Sequence, residues 1–177
     1  MRRVALLLAL LPLAAAAQTI DLSRGGPVDI TARDGMEWRQ AEQVVVARGQ
    51  ARASRDGTTV EAERLIARYR PVAGSTAPPV GADPTGGQSE IWRFEAEGGV
   101  RVFTATDTAT GERAVYDMDQ AVLVLSGRTP TLTTPQQTIT ARDSLEYWTQ
   151  RRMAVARGAA VITTQDNRRI TADVIVA

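Results

Sequence analysis

Ile30-Thr-Ala-Arg-Asp34 returns intact as Ile139-Thr-Ala-Arg-Asp143, and a recurrence of this kind points to a repeat architecture. The match continues through Glu37 and Glu146, then through Val46-Ala-Arg-Gly49 and Val155-Ala-Arg-Gly158. An aromatic residue stands eleven positions before each glycine: Trp38 before Gly49, Tyr147 before Gly158, and, in a third copy, Tyr116 before Gly127. Gly98, Gly127 and Gly158 follow one another at about thirty residues. From Gly49 to Gly98 the interval is longer. Its excess falls in Pro71 to Glu90, which holds four prolines and four glycines and reads as a disordered insertion.

Each unit has the period of a strand. Val28, Ile30 and Ala32 alternate with polar neighbours, Val100 and Val102 alternate with Arg101 and Phe103, and Ile170, Ala172, Val174 and Val176 repeat the pattern near the C-terminus. Turns are expected at Asp56-Gly57, Thr110-Gly111 and Asp166-Asn167, and at the polar stretches 39–42, 117–120 and 149–152. No segment after Gln18 forms an amphipathic helix of three turns. The expected fold is all-β, a series of long antiparallel hairpins. Glycines recurring inside the strands imply a bend or bulge that folds the sheet over on itself.

Such a sheet encloses two apolar faces. The expected interior comprises Val44, Val46, Val60, Ala62, Phe94, Val100, Val102, Ala114, Tyr116, Val122, Val124, Ile139, Ala141, Leu145, Val155 and Val161, with Ile170 and Ala172. Small inward side chains either bring the two faces together or leave a slot between them. Composition does not choose, and a packed core is the commoner outcome. An unclosed stack also leaves its first and last strands unpaired, so Ile170 to Ala177 is a template for adding another strand.

Composition narrows the chemistry. Histidine and cysteine are absent, which excludes Ser–His and Cys–His catalysis and any disulfide framework. The 21 basic residues are all arginine, against 20 acidic ones, a balance unlike that of a nucleic-acid binder. Met1-Arg-Arg followed by an apolar run closing on Ala15-Ala-Ala17 reads as a cleavable secretory signal over 1–17, with an N-terminal extension over 18–27 and the β-domain over 28–177.

These units, together with Gly111-Glu-Arg-Ala-Val-Tyr-Asp117, resemble the OstA-like family of lipopolysaccharide-transport proteins from about Val28 to Ala177. The resemblance implies an open, twisted antiparallel β-jellyroll in the periplasm, without enzymatic activity or cofactor. The sixteen residues from Val44 to Val161 named above would bind lipid, Phe94 and Tyr116 as the larger contacts. Implied partners are lipopolysaccharide through its acyl chains, an inner-membrane transport complex and an outer-membrane translocon joined by strand-edge pairing, and further copies head to tail. The short signal and the lack of a following barrel argue against the same-fold inner-membrane and translocon components. The alternative is a structural module of this fold that pairs through its edges and carries no ligand.

Sharper sites are weaker. Glu61/Glu63 and Asp117/Asp119 are carboxylates at i and i+2, better explained by a solvated face and a turn. Asp34 and Asp143 follow the repeat, as turn-formers do and lone catalytic groups do not. Arg48 and Arg157 follow it too, and read as a solvated strand face. The three tryptophans read as strand-end packing.

Overall fold

The computed structural model describes residues 20, 28–72, 74 and 89–177. The expected signal segment 1–17, the expected extension 18–27 apart from Ile20, and most of the expected loop 71–90 lie outside them. Twelve strands follow in order: β1 (Asp29–Thr31), β2 (Met36–Arg39), β3 (Val44–Arg55), β4 (Thr58–Pro71), β5 (Ser89–Phe103), β6 (Thr108–Asp117), β7 (Val122–Ser126), β8 (Thr131–Thr133), β9 (Gln137–Thr140), β10 (Ser144–Trp148), β11 (Met153–Thr164) and β12 (Arg169–Val176). Among the described residues a single 3-10 turn, Gln40–Glu42, fills one of the expected polar turns. All strands belong to one antiparallel sheet.

Folding over splits that sheet into two facing halves. The first runs β2-β3-β4-β5-β6-β7-β10-β11-β12; the second runs β1-β3-β4-β5-β6-β8-β9-β11-β12, the long strands serving both. Among the described residues, β1 and β2 pair only with β3, and β12 only with β11, so both ends of the stack are open. This is the open β-jellyroll that the family resemblance implies.

The bend is built at the recurrent glycines. Register shifts fall between Arg48 and Ala51, Glu97 and Val100, and Arg157 and Ala160, each spanning one of the glycines. At each bulge two consecutive residues take left-handed backbone: Gly49 and Gln50 (φ 75° and 46°), and Gly158 and Ala159 (81° and 46°). A β-carbon on Gly49 would run into the Asp34 carboxylate, and one on Gly158 into that of Asp143. Asp34 and Asp143 thus lie against the glycines fifteen residues on, a packing role that accounts for their shared place in the repeat.

Three local expectations are corrected. Thr110-Gly111 is not a turn but part of β6, which pairs with β8 through Thr110 and with β5 through Gly111; the hairpin instead closes over Thr104–Asp107, where the backbone N–H of Thr104 donates to the Asp107 carbonyl. Gly127 does not bend a continuous strand: it lies between β7 and β8, with left-handed φ of 104°. Pro71, Ser89 and Glu90 are not loop, because Pro71 pairs with Ser89 and Arg70 with Glu90.

Candidate functional site

Register determines which side chains face the interior. In the first half-sheet one row runs Ala47–Leu65–Ala96–Ala114–Leu125–Leu145–Ala156–Ile175, and a second runs Val45–Ala67–Phe94–Tyr116–Leu123–Tyr147–Ala154. The facing row of the second half-sheet is Ile30–Ala53–Val60–Val102–Ala109–Leu132–Ile139–Ile162–Ile170. Alternating small and large side chains let the halves interlock in one core cluster. Ile20, from the N-terminal extension, is 1% exposed and joins it.

Of the sixteen expected lipid contacts, Val60, Ala62, Phe94, Val100, Val102, Ala114, Tyr116, Ile139, Ala141 and Leu145 lie in this core. Val44, Val46, Val122, Val124, Val155 and Val161 are corrected to the opposite face. Val44 pairs with Arg68, Val122 with Asp117, Val124 and Val155 with Glu146, and Val161 with Thr140. Val44 to Ala47 and Val122 to Leu125 are apolar at every position, so alternation along one strand has no phase. The charged partners on neighbouring strands supply it. The same signal would have found Ala47, Leu65, Leu123 and Leu125. Ile170 and Ala172 do pair on the inner face, but at the open edge, where Ile170 remains 55% exposed.

The halves are closed on each other. A crevice of about 10 Å³ separates Phe94 and Met118 of one half from Val28, Ala53 and Val60 of the other, about the space of a single water. Among the described residues, interlocked leucine, tyrosine and isoleucine side chains fill the room that alanine leaves. One rim is tied by polar contacts. Tyr116 Oη lies 3.4 Å from Thr149 Oγ1, which donates to the Ala121 carbonyl at 3.1 Å. Trp38 Nε1 donates to Tyr69 Oη at 2.6 Å with the rings edge to face. At the other half, Thr58, Thr104 and Asp107 are buried, and burial pushes the Asp107 carboxyl above its ordinary range against a hydrogen bond from Thr106.

The outer face of the first half-sheet carries an ion-pair lattice. Glu37, Glu95 and Glu146 fall in one cross-strand row. Glu37 accepts from Arg39 (2.8 Å) and Arg48 (3.1 Å), which lower its pKa from 4.5 to about 2. Glu95 is 4% exposed: burial, the largest single influence, opposes its charge, but hydrogen bonds from Arg68 and Arg113 and the charge of Arg93 together leave its pKa lowered. Arg157 donates to Glu146 at 2.8 Å. Arg48 and Arg157 therefore hold equivalent glutamates. Three of the four paired carboxylates are similarly committed: Glu61 to Arg52 (2.9 Å), Asp119 to Arg70 (2.7 Å), and Asp117 to the Gln120 backbone N–H (2.9 Å). Among the described residues no cluster of Asp and Glu is arranged to hold a metal ion.

The profile of the family described as LptA/(LptD N-terminal domain) LPS transport protein matches residues 29–147, more than half of the chain. The chain belongs to this family. Among solved structures it is similar to LptH, the LptA-homologous periplasmic component of the lipopolysaccharide transport device of Pseudomonas aeruginosa, with a TM-score of 0.60 at 16% identity over 83% of this chain and 94% of that one. That likeness concerns the fold: LptH and this LptA-family chain share the jellyroll. No curated protein sequence matches the chain.

Proposed function

We propose that this LptA-family protein works in the periplasm, where it shelters the acyl chains of lipopolysaccharide between its half-sheets and bridges an inner-membrane transport complex to an outer-membrane translocon. The observation that carries the reading is the pair of facing apolar rows, hinged on glycine bulges and open at both strand edges, in a chain of this family. Each methylene removed from water contributes about 0.8 kcal/mol, so a chain of roughly a dozen carbons costs about 10 kcal/mol to expose. Edge pairing at β12 and at β1/β2 supplies the contacts between copies and with partners. No step needs a catalytic group, and directed movement is driven by the partners.

The packed interior favours a second reading, an edge-pairing structural module without ligand. A photo-crosslinking residue placed in cells at Val102, which faces inward, and at Val124, which faces outward, separates the two. Transport predicts a lipopolysaccharide adduct at Val102 and none at Val124. Silence at Val102 and at further inward positions such as Leu132 and Ile139 would leave only the structural module.

A further inference from the structure

Away from the interior, the outer face of the first half-sheet holds an open cleft of about 210 Å³, lined by no residue of the core cluster. At about 30 Å³ per water it has room for about seven waters. Its base is the cross-strand pair Val46–Ile66, with Val44 beside it. On one side Arg48 stands directly opposite Arg64; on the other stand Arg68, opposite Val44, and Arg39. Glu42 is also on the wall.

Each of these arginines already holds a carboxylate, yet the cleft presents positive charge. The ion pairs of β4, β5 and β6 join four arginines, Arg64, Arg68, Arg93 and Arg113, to two glutamates, Glu95 and Glu97. The Glu95 side chain is 6% exposed, whereas those of Arg39, Arg48, Arg64 and Arg68 are 38–43% exposed. The face therefore hides much of its negative charge and shows its cations. Like charges directly opposite on paired strands destabilise a sheet, and Arg48 and Arg64 are so placed. Their glutamates, Glu37 on β2 and Glu97 on β5, stand on the strands to either side of β3 and β4. An anion lodged between the two guanidinium groups would relieve that repulsion.

We infer that this cleft binds a phosphorylated sugar, its phosphate between Arg48 and Arg64 and the C–H face of its ring on Val46 and Ile66. Guanidinium forks fit phosphate oxygens bidentately and are weakly hydrated, so they suit such an anion. The apolar base favours a ligand with a body over a bare anion, and the volume limits that body to about one ring. The site is separate from the proposed lipid-sheltering interior and does not depend on it.

Isothermal titration of the purified protein with glucose 6-phosphate, glucose and inorganic phosphate tests this. Glucose 6-phosphate should bind at least about tenfold tighter than glucose, the weight of one charge-assisted hydrogen bond, and severalfold tighter than inorganic phosphate. Arg48→Gln and Arg64→Gln should each weaken it about tenfold; Glu37 keeps Arg39 and Glu97 keeps Arg113 in these variants. Arg157→Gln, at the equivalent repeat position but outside the cleft, should leave binding unchanged. Glu42→Gln removes a carboxylate from the wall and should tighten binding severalfold, a gain that damage to the fold cannot produce. Equal affinity for inorganic phosphate overturns the sugar-sized ligand. Equal loss in Arg157→Gln, or affinity unmoved in Arg48→Gln and Arg64→Gln, overturns the cleft as the site. Absence of glucose 6-phosphate binding at millimolar concentration overturns the inference altogether, and each of these results leaves the lipid-sheltering reading standing.

Discussion

The Asp143 carboxylate lies over the Cα of Gly158, in the space that any β-carbon there would occupy. Asp34 stands in the same relation to Gly49. The acid and the glycine of each repeat are thus one packing unit: the missing side chain admits the carboxylate, and left-handed backbone turns the strand beneath it.

Gly158→Ala and Gly49→Ala should each lower the unfolding free energy by at least ~2 kcal/mol, because left-handed backbone alone costs an alanine about 1–2 kcal/mol and the carboxylate must also be displaced. Urea titration reads this directly. Midpoints equal to wild type would mean that the bulges tolerate ordinary backbone.

The residue after each of these glycines is strained in the other sense. Ala159 and Gln50 hold φ of 46° with side chains in place. Ala159→Gly relieves that strain but adds freedom to the unfolded chain, about 0.5–1 kcal/mol in opposition. The expected net is a gain of up to ~1 kcal/mol in the same titration, opposite in sign to Gly158→Ala.

Acid should weaken the fold through the outer lattice. Glu37 is lowered from 4.5 to about 2, and Glu95 is also lowered. A group lowered on folding contributes stability that is full above its unfolded pKa and is lost as the pH falls through the folded one. The urea midpoint should therefore hold from pH 7 to about 5 and decline between 4.5 and 2. Glu37→Gln should flatten part of that decline; a decline of unchanged steepness would assign it to other carboxylates.

Facing direction has an energetic signature. Leu145→Ala, at a fully buried inner position, should cost about 2–5 kcal/mol, whereas Val124→Ala, half-buried on the outer face, should cost about 1 kcal/mol or less. Reversed magnitudes would show the register displaced by one residue.

Ile20 is part of the core. Ile20→Ala should cost about 2–4 kcal/mol, and removal of residues 18–27 should cost at least as much. A truncated protein as stable as one beginning at Gln18 would show that the domain begins at Val28.

The amino-acid order alone determined the repeat, the strand period, the bend at Gly49, Gly98 and Gly158, and the absence of histidine and cysteine chemistry, because each is local or periodic. It also carried the family. Facing was decided elsewhere: Val44 and Val122 lie in runs apolar at every position, and only the cross-strand partners Arg68 and Asp117 place them on the outer face of the sheet, where both are nonetheless buried. Thr110-Gly111 has the composition of a turn but is held in β6 by pairing with β5 and β8. Whether the interior is slot or core depended on how alanines from one strand meet leucines and tyrosines from strands distant in sequence, a volume match that no single segment contains. Among the described residues, tertiary structure interlocks these side chains in one core cluster.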